Sequence, residues 1–350
     1  MKLKSTSRKY FRYGIRLLRR EASLKRAVNR MMIERAFKAR TEVVRGYPIY
    51  AYIDVCNMCN LKCPLCPTGQ GKNERPKGKM SFEDFKKIIG EIGDYLYVVR
   101  LDSWGEPLLN REIFDMIAYA KKKRISVNFS TNFNIFCQEM AEEMVRSDLD
   151  ELYVSLDGAT QKTYETYRHG GNLKRVIENI LLLQKVKRKE NSPVPRIVLK
   201  FMVMRHNEHE LVQTRELADR LEVEQFIQGP MHVDMGKLLD EDISSLIAKD
   251  FSWLPRNESL SRYDYDKKRP KRKIDCDWPW KGVAINWNGS VSPCCAVYGQ
   301  KDDFGNIFEQ KFQAIWNGNQ YRASRLWLSK RSLPEHRTVC YRCSQHGFLG

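Results

Sequence analysis

Tyr50-Ala51-Tyr52-Ile53-Asp54-Val55-Cys56-Asn57-Met58-Cys59-Asn60-Leu61-Lys62-Cys63-Pro64-Leu65-Cys66 is the stretch in which two signals meet. Its first six residues alternate as a half-buried strand does, and the next eleven carry four cysteines. So many thiols directly after a strand can serve a disulfide knot, a zinc site or an iron–sulfur cluster, and the remaining sequence has to choose.

The knot fits poorly. A chain of 350 residues buries a sizeable core without covalent staples. No hydrophobic N-terminal segment with a small-residue cleavage site precedes the cysteines, and no apolar run approaches the roughly 20 residues of a membrane span. The expectation is a cytoplasmic protein with reduced thiols.

Strand-like alternation recurs at 96–102, 125–130, 151–156, 197–203 and 225–228. Helix-like periodicity falls near 81–93, 111–123, 138–147, 173–187 and 208–221. Ser81 followed by Asp84 resembles a capping box with the acid one carbon short. Alternating β and α units imply a parallel sheet, open or closed, with functional groups at the C-terminal strand ends. Residues 233–273 break the pattern with charged, Pro-containing sequence and read as a connector. Beyond them, apolar alternation on both sides of Asn288-Gly289 marks a hairpin in a small α+β module.

Net charge is +18, and residues 1–45 account for +12 of it, with fifteen Lys or Arg against three Glu. Phe11, Ile15, Leu18 and Ala22, then Leu24, Val28 and Met31 or Met32, fall at helical spacing in this arm, which reads as a basic amphipathic helix. Such a helix packs on the body with a solvated basic face, or meets an anionic membrane surface. Nucleic acid ranks below the membrane because the apolar stripe is continuous.

Cys59, Cys63 and Cys66 are spaced C-x3-C-x2-C. Three thiolates on a four-iron cube leave one iron free for an outside ligand. An open position separates a catalytic metal site from a structural one. A zinc knuckle is the plainer alternative, although zinc loops usually draw their ligands as separated pairs.

With Asn60-Leu61 after the first of these cysteines and Pro64 after the second, the loop resembles the radical S-adenosylmethionine (SAM) superfamily. The resemblance covers residues 48 to about 230 and implies a partial (β/α)6 TIM-like barrel. It implies that Cys59, Cys63 and Cys66 hold a [4Fe–4S] cluster whose fourth iron is chelated by SAM, and that reduction cleaves SAM to a 5′-deoxyadenosyl radical that abstracts a substrate hydrogen. Trp104-Gly105-Glu106-Pro107 is similar to the family's Gly-Gly-Glu segment, which gives Gly105 and Glu106 the SAM ammonium. Ser130 and Asn132 on the third strand end, Ser155 on the fourth, and Arg168 beyond it correspond to groups that relatives turn toward the SAM ribose or carboxylate. Cys56 is a bystander, and Cys137 is expected to be a buried small apolar residue.

Cys276, Cys294 or Cys295, Cys340 and Cys343 make a second set, for which a four-cysteine zinc ribbon is a serious reading. Cys276-Asp277-Trp278, the 286–295 stretch, Gly305-Asn306-Ile307 and Trp316 resemble the SPASM/twitch extension of radical SAM cores. The cysteine count departs toward the single-cluster twitch form of the 2-deoxy-scyllo-inosamine dehydrogenase type. By that resemblance Cys276, Cys294, Cys340 and Cys343 hold one auxiliary [4Fe–4S] cluster.

The expected organisation is a helical arm at 1–47, a barrel at 48–232, a connector at 233–273 and an auxiliary-cluster module at 274–350. The expected activity is a radical SAM oxidoreductase type, reduced by flavodoxin or ferredoxin. Fewer than fifty residues precede the first strand, which favours a small-molecule, sugar or lipid-linked substrate over a peptide held by its leader; a peptide maturase is the alternative. Arg205, Gln225 and Gln228 are candidate substrate contacts. The rival from another class is a non-enzymatic, zinc-stabilised protein binding nucleic acid or membrane.

Overall fold

All six expected strands form, within two residues of their sequence-derived limits. β1 (Tyr50–Ile53), β2 (Val98–Arg100), β3 (Ser126–Thr131), β4 (Glu151–Ser155), β5 (Arg196–Val203) and β6 (Gln225–Pro230) pair in parallel in chain order. The computed structural model describes residues 23–72, 74–233, 241–330 and 337–345. Phe11, Ile15, Leu18 and Ala22 of the expected stripe lie outside them.

Period-two alternation builds the sheet's two faces. Ile53, Val99, Val127, Phe129, Leu152, Val154, Ile197 and Leu199 join helix residues such as Phe85, Ile88, Ile117, Met144 and Ile180 in one apolar core. Each such side chain contributes roughly 1.5–3 kcal/mol on burial. The intervening residues line the inside of the partial barrel. There the Arg100 guanidinium lies 5.2 Å from the Tyr52 ring centroid and 5.1 Å from that of Tyr153, and Lys200 sits 5.8 Å from Tyr153.

Helices fill the gaps between strands. The one at Phe82–Ile92 starts as expected, with Asp84 N donating to Ser81 Oγ at 3.1 Å. A short helix at Gln161–Tyr167 separates β4 from Arg168.

Residues 243–265, read as connector, fold back over the cysteine loop. Leu246, Ile247, Leu254 and Tyr263 pack with Leu61, Leu65 and Tyr167 in a second apolar cluster that also touches Cys59 and Cys66. A small ribbon of β7 (Tyr263–Asp264) and β8 (Arg269–Pro270) ends this roof. The expected hairpin forms from β9 (Gly282–Ile285) and β10 (Ser290–Ser292), with Gly289 at φ +81° in its turn. It does not stand apart. β9 pairs in parallel with β1, and β11 (Gly305–Asn306) pairs with β10, giving the order β11-β10-β9-β1-β2-β3-β4-β5-β6.

The basic arm is helical at Leu24–Lys38, capped by Ser23. The face it buries carries Arg26, Asn29 and Ile33, not the apolar stripe. Arg26 donates to the carbonyls of Gly93, Lys123 and Arg124 at 3.2, 2.8 and 2.6 Å, closing the C-terminal ends of two core helices. Leu24, Val28, Met31 and Met32 lie on the opposite side and are 83, 41, 60 and 39% exposed. No helix among the described residues is long and apolar enough to cross a membrane.

Replacing Arg26 by Met removes these three hydrogen bonds and is expected to cost about 1.5–3 kcal/mol, the range for hydrogen bonds to a charged group. Leu24→Ser should stay within about 0.5 kcal/mol. Thermal melts of the two variants check the difference.

Candidate functional site

The first four strands each give one wall to a cavity of about 210 Å³ at their C-terminal edge. Cys59, Leu61, Cys63 and Cys66 follow β1, and Asp102 to Glu106 follow β2. Ser130, Thr131 and Asn132 close β3, Ser155 closes β4, and Tyr167 and Arg168 complete the ring.

The cysteine loop is held by backbone. Glu106 N donates to Met58 O at 2.7 Å, and a Cβ on Gly105 would stand 1.8 Å from Cys56 O, so only glycine admits this approach. Gly69 presses on the other side, where a Cβ would lie 2.5 Å from Cys63 N and O. Cys56 is buried outside the cavity lining, its thiol 3.7 Å from Met58 O.

The resemblance gives Glu106 the SAM ammonium, but both its oxygens are occupied by protein donors. They accept from Thr131 Oγ1 at 2.6 Å, Asn132 N at 2.8 Å and Leu108 N at 3.2 Å. Burial pushes its pKa up to about 7 against those three donors. The carboxylate thus braces the turns after β2 and β3. Arg168 is fixed along one edge by Asp157, with Nε and Nη2 at 2.7 and 2.6 Å from Oδ2, while Nη1 lies 4.0 Å from Cys63 Sγ. Asn132 Nδ2 reaches Asn60 Oδ1 at 2.9 Å and lies 3.7 Å from Cys59 Sγ. Ser130 Oγ accepts from Arg100 at 3.0 Å.

Burial, opposed by the Leu61 N–H and reinforced by Glu106 and the neighbouring thiols, pushes Cys59 up to about 12. Burial likewise raises Cys63, with Arg168 acting against it. A cationic centre reverses that preference, because coordination deprotonates a thiol outright. Among the described residues no three His, Cys, Asp or Glu groups are arranged for a single metal ion. The three thiols instead ring an open cavity, the donor set and shape that a multi-iron cluster with a vacant corner needs.

Cys276, Cys294, Cys340 and Cys343 line a second, tighter cavity of about 40 Å³ with Pro279, Val297 and Val339. Burial and the other thiols raise Cys276 and Cys294. Cys295 does not line it; its charged neighbours are Asp102 and Arg100, on the side of the first cavity. The two sites share a wall. Trp104, which lines the first, donates from Nε1 to the carbonyl of Val297, which lines the second, at 3.2 Å. Buried Arg75, just beyond the cysteine loop, ties the same wall by pairing with Asp303 and donating to Ser290 Oγ at 2.7 Å.

Two family models match the chain, the radical SAM superfamily over residues 53–218 and the SPASM iron–sulfur cluster-binding domain over residues 276–344. The chain carries a radical SAM domain and a SPASM domain. Its cofactors are therefore SAM, a [4Fe–4S] cluster on the radical SAM motif, and auxiliary iron–sulfur chemistry in the SPASM domain. The cofactor-modifying protein of the tungsten-containing aldehyde ferredoxin oxidoreductase from Pyrococcus furiosus is 24% identical over 83% of this chain and 86% of its own. A mycofactocin maturase from Mycobacterium ulcerans is 29% identical over 49% of this chain, and an AdoMet-dependent heme synthase from Methanosarcina barkeri 28% over 47%. Both of those matches span 45% of the relative's length. Among solved structures, SuiB of Streptococcus suis bound to SAM superposes with a TM-score of 0.60 at 15% identity, covering 84% of this chain and 70% of its own. anSMEcpe with bound AdoMet superposes at 0.55 and 14%, covering 86% and 96%. These superpositions establish the shared fold.

The proposed substrate contacts are scattered. Gln225 opens β6, at the end of the strand remote from the cysteine loop, and cannot reach the C-terminal edge. Arg205 serves the roof, its Nε donating to Leu254 O at 3.1 Å and its guanidinium lying over Phe251. Gln228 lines a separate cavity near the end of β6. Cys137 is exposed rather than buried, because it precedes the helix Gln138–Arg146 on its solvent side. Asp102 and Tyr167 were missed as cavity residues. Their places, directly after β2 and directly before Arg168, were the available signal.

Replacing Cys59, Cys63 and Cys66 by Ala should remove about four irons per chain and abolish SAM cleavage. Replacing Cys276, Cys340 and Cys343 should remove the other cluster and leave cleavage intact. Anaerobic iron and sulfide analysis with 5′-deoxyadenosine assays reads both outcomes.

Proposed function

We propose that this chain oxidises a small-molecule, sugar or lipid-linked substrate by two electrons, losing one as part of a hydrogen atom and the second separately from its proton. When bound, the cofactors supply a carbon-centred radical for the hydrogen atom and an iron–sulfur centre able to take up the remaining electron. The observation that carries this reading is the shared wall: Trp104 of the SAM cavity is hydrogen-bonded to Val297 of the auxiliary cavity. The residues themselves bind and exclude. Asp157 holds Arg168 in place, Gly105 brings backbone to the cavity edge, and Leu246, Leu254 and Tyr263 roof the cysteine loop against water and oxidants. The relative with the broad two-way coverage is named a cofactor-modifying protein, which supports a non-peptide substrate. The mycofactocin maturase match favours the alternative of a peptide substrate. A net charge of +18 suits an acidic flavodoxin or ferredoxin as electron donor.

The test uses cell extract offered to reduced holoenzyme with SAM, read by mass spectrometry for a product two hydrogens lighter than its precursor. The native protein should form it in step with 5′-deoxyadenosine, and the Cys276, Cys340 and Cys343 variants should release 5′-deoxyadenosine without it. Product formation by those variants would refute the electron-accepting role.

A lipid-linked substrate also has support from the arm. An exposed apolar stripe, flanked by Lys25, Arg35 and Lys38 and set in a segment of net charge +12, suits an anionic bilayer surface. The full-length protein should cosediment with phosphatidylglycerol-containing vesicles and far less with phosphatidylcholine alone. Met31→Asp with Leu24→Asp should release it, and raised salt should weaken it.

A further inference from the structure

A third cavity, of about 520 Å³, opens near the C-terminal ends of the last two barrel strands, where Val203 ends β5 and Gln228, Gly229 and Pro230 end β6. Its outer wall is the same folded-back segment that roofs the cysteine loop, and contributes Arg262 and Arg272. No Asp or Glu is among the described residues that line it.

Arg262 is incompletely satisfied. One Nη donates to Pro230 O at 3.4 Å, and Nε is buried without a partner. The neighbouring residue Tyr263 is fully buried in the roof, so the Arg262 backbone is anchored. Nδ1 of His232, two residues beyond β6, is a second buried polar atom without a partner. Burial and the charge of Arg262 push this imidazole's pKa down to about 3, so it stands neutral beside the guanidinium. Lys271, also on the lining, is engaged by Glu258 at 3.4 Å. Among the described residues, Arg262 and Arg272 are thus the lining cations with no carboxylate against them. A guanidinium fork on a cavity lining suits a planar or tetrahedral oxyanion.

We propose that this cavity binds an anionic group of the substrate, a phosphate or a carboxylate, through Arg262 with Arg272 at the rim. The inference rests on the function proposed above in taking the ligand to be the substrate.

Calorimetric titration of anaerobic holoenzyme with SAM present, using inorganic pyrophosphate in one arm and succinate in the other, tests it. Saturable binding of either is expected, the arm that binds naming the oxyanion. Arg262→Gln should weaken that binding about tenfold, the loss of roughly one charged hydrogen bond. Gly229→Asp supplies a second variant that does not depend on Arg262 folding correctly, since a Cβ there meets nothing within 4 Å. It places a carboxylate at the cavity and should abolish anion binding while iron content and the circular dichroism spectrum stay native. No saturable binding in either arm, or unchanged affinity in both variants, overturns the proposal. Anion binding that persists in a protein unable to cleave SAM would instead count against the function and leave the cavity assignment standing.

Discussion

One contact between backbones governs the arrangement: the turn after β2 lies directly against the loop after β1. With Glu106 N bonded to Met58 O and no room for a Cβ at Gly105, the thiols of the loop have one position relative to the ends of β2, β3 and β4. Glu106 extends the constraint sideways, since its carboxylate takes donors from the turn after β3 as well. A buried carboxylate with three donors is costly to desolvate yet difficult to displace, so it works as a rigid peg among turns that otherwise lack regular structure.

From that fixed loop, the two halves of the protein become one unit. Arg75 follows the cysteines and is locked to Asp303, Trp104 follows β2 and is bonded to Val297, and residues 243–265 cover the cysteines from outside. The SPASM domain therefore meets the SAM cavity through side chains on the cysteine loop and on the turn opposite it. Such contacts fix the separation of the two centres.

Much of this was readable in the chain. Alternation located β1 to β6, and C-x3-C-x2-C after the first strand located the site, because strand ends in a parallel sheet converge on one edge. Asn288-Gly289 located the hairpin. What could not be read follows a common pattern: interactions whose partners are remote and not periodic. The roof is apolar at Leu246, Ile247, Leu254 and Tyr263, too irregularly spaced to signal one element. The arm shows an apolar stripe, yet it docks through Arg26 and Asn29, because backbone carbonyls at the ends of two other helices needed donors and Tyr47 needed both partners that Asn29 offers. A hydrophobic pattern cannot report a docking face chosen by hydrogen bonding. For the same reason the ion pair by which Asp157 orients Arg168 has no periodic signal to announce it.

The pairing of β1 with β9 has a consequence for biosynthesis. Tyr50 lies opposite Gly282, so β1, once it has left the ribosome, waits for more than two hundred further residues before its second neighbour exists. Until then the nascent barrel presents an open strand edge beside a loop of reduced thiols, a state prone to mispairing with other chains and to oxidation. The cysteines of the first set are thus synthesised more than two hundred residues before those of the second.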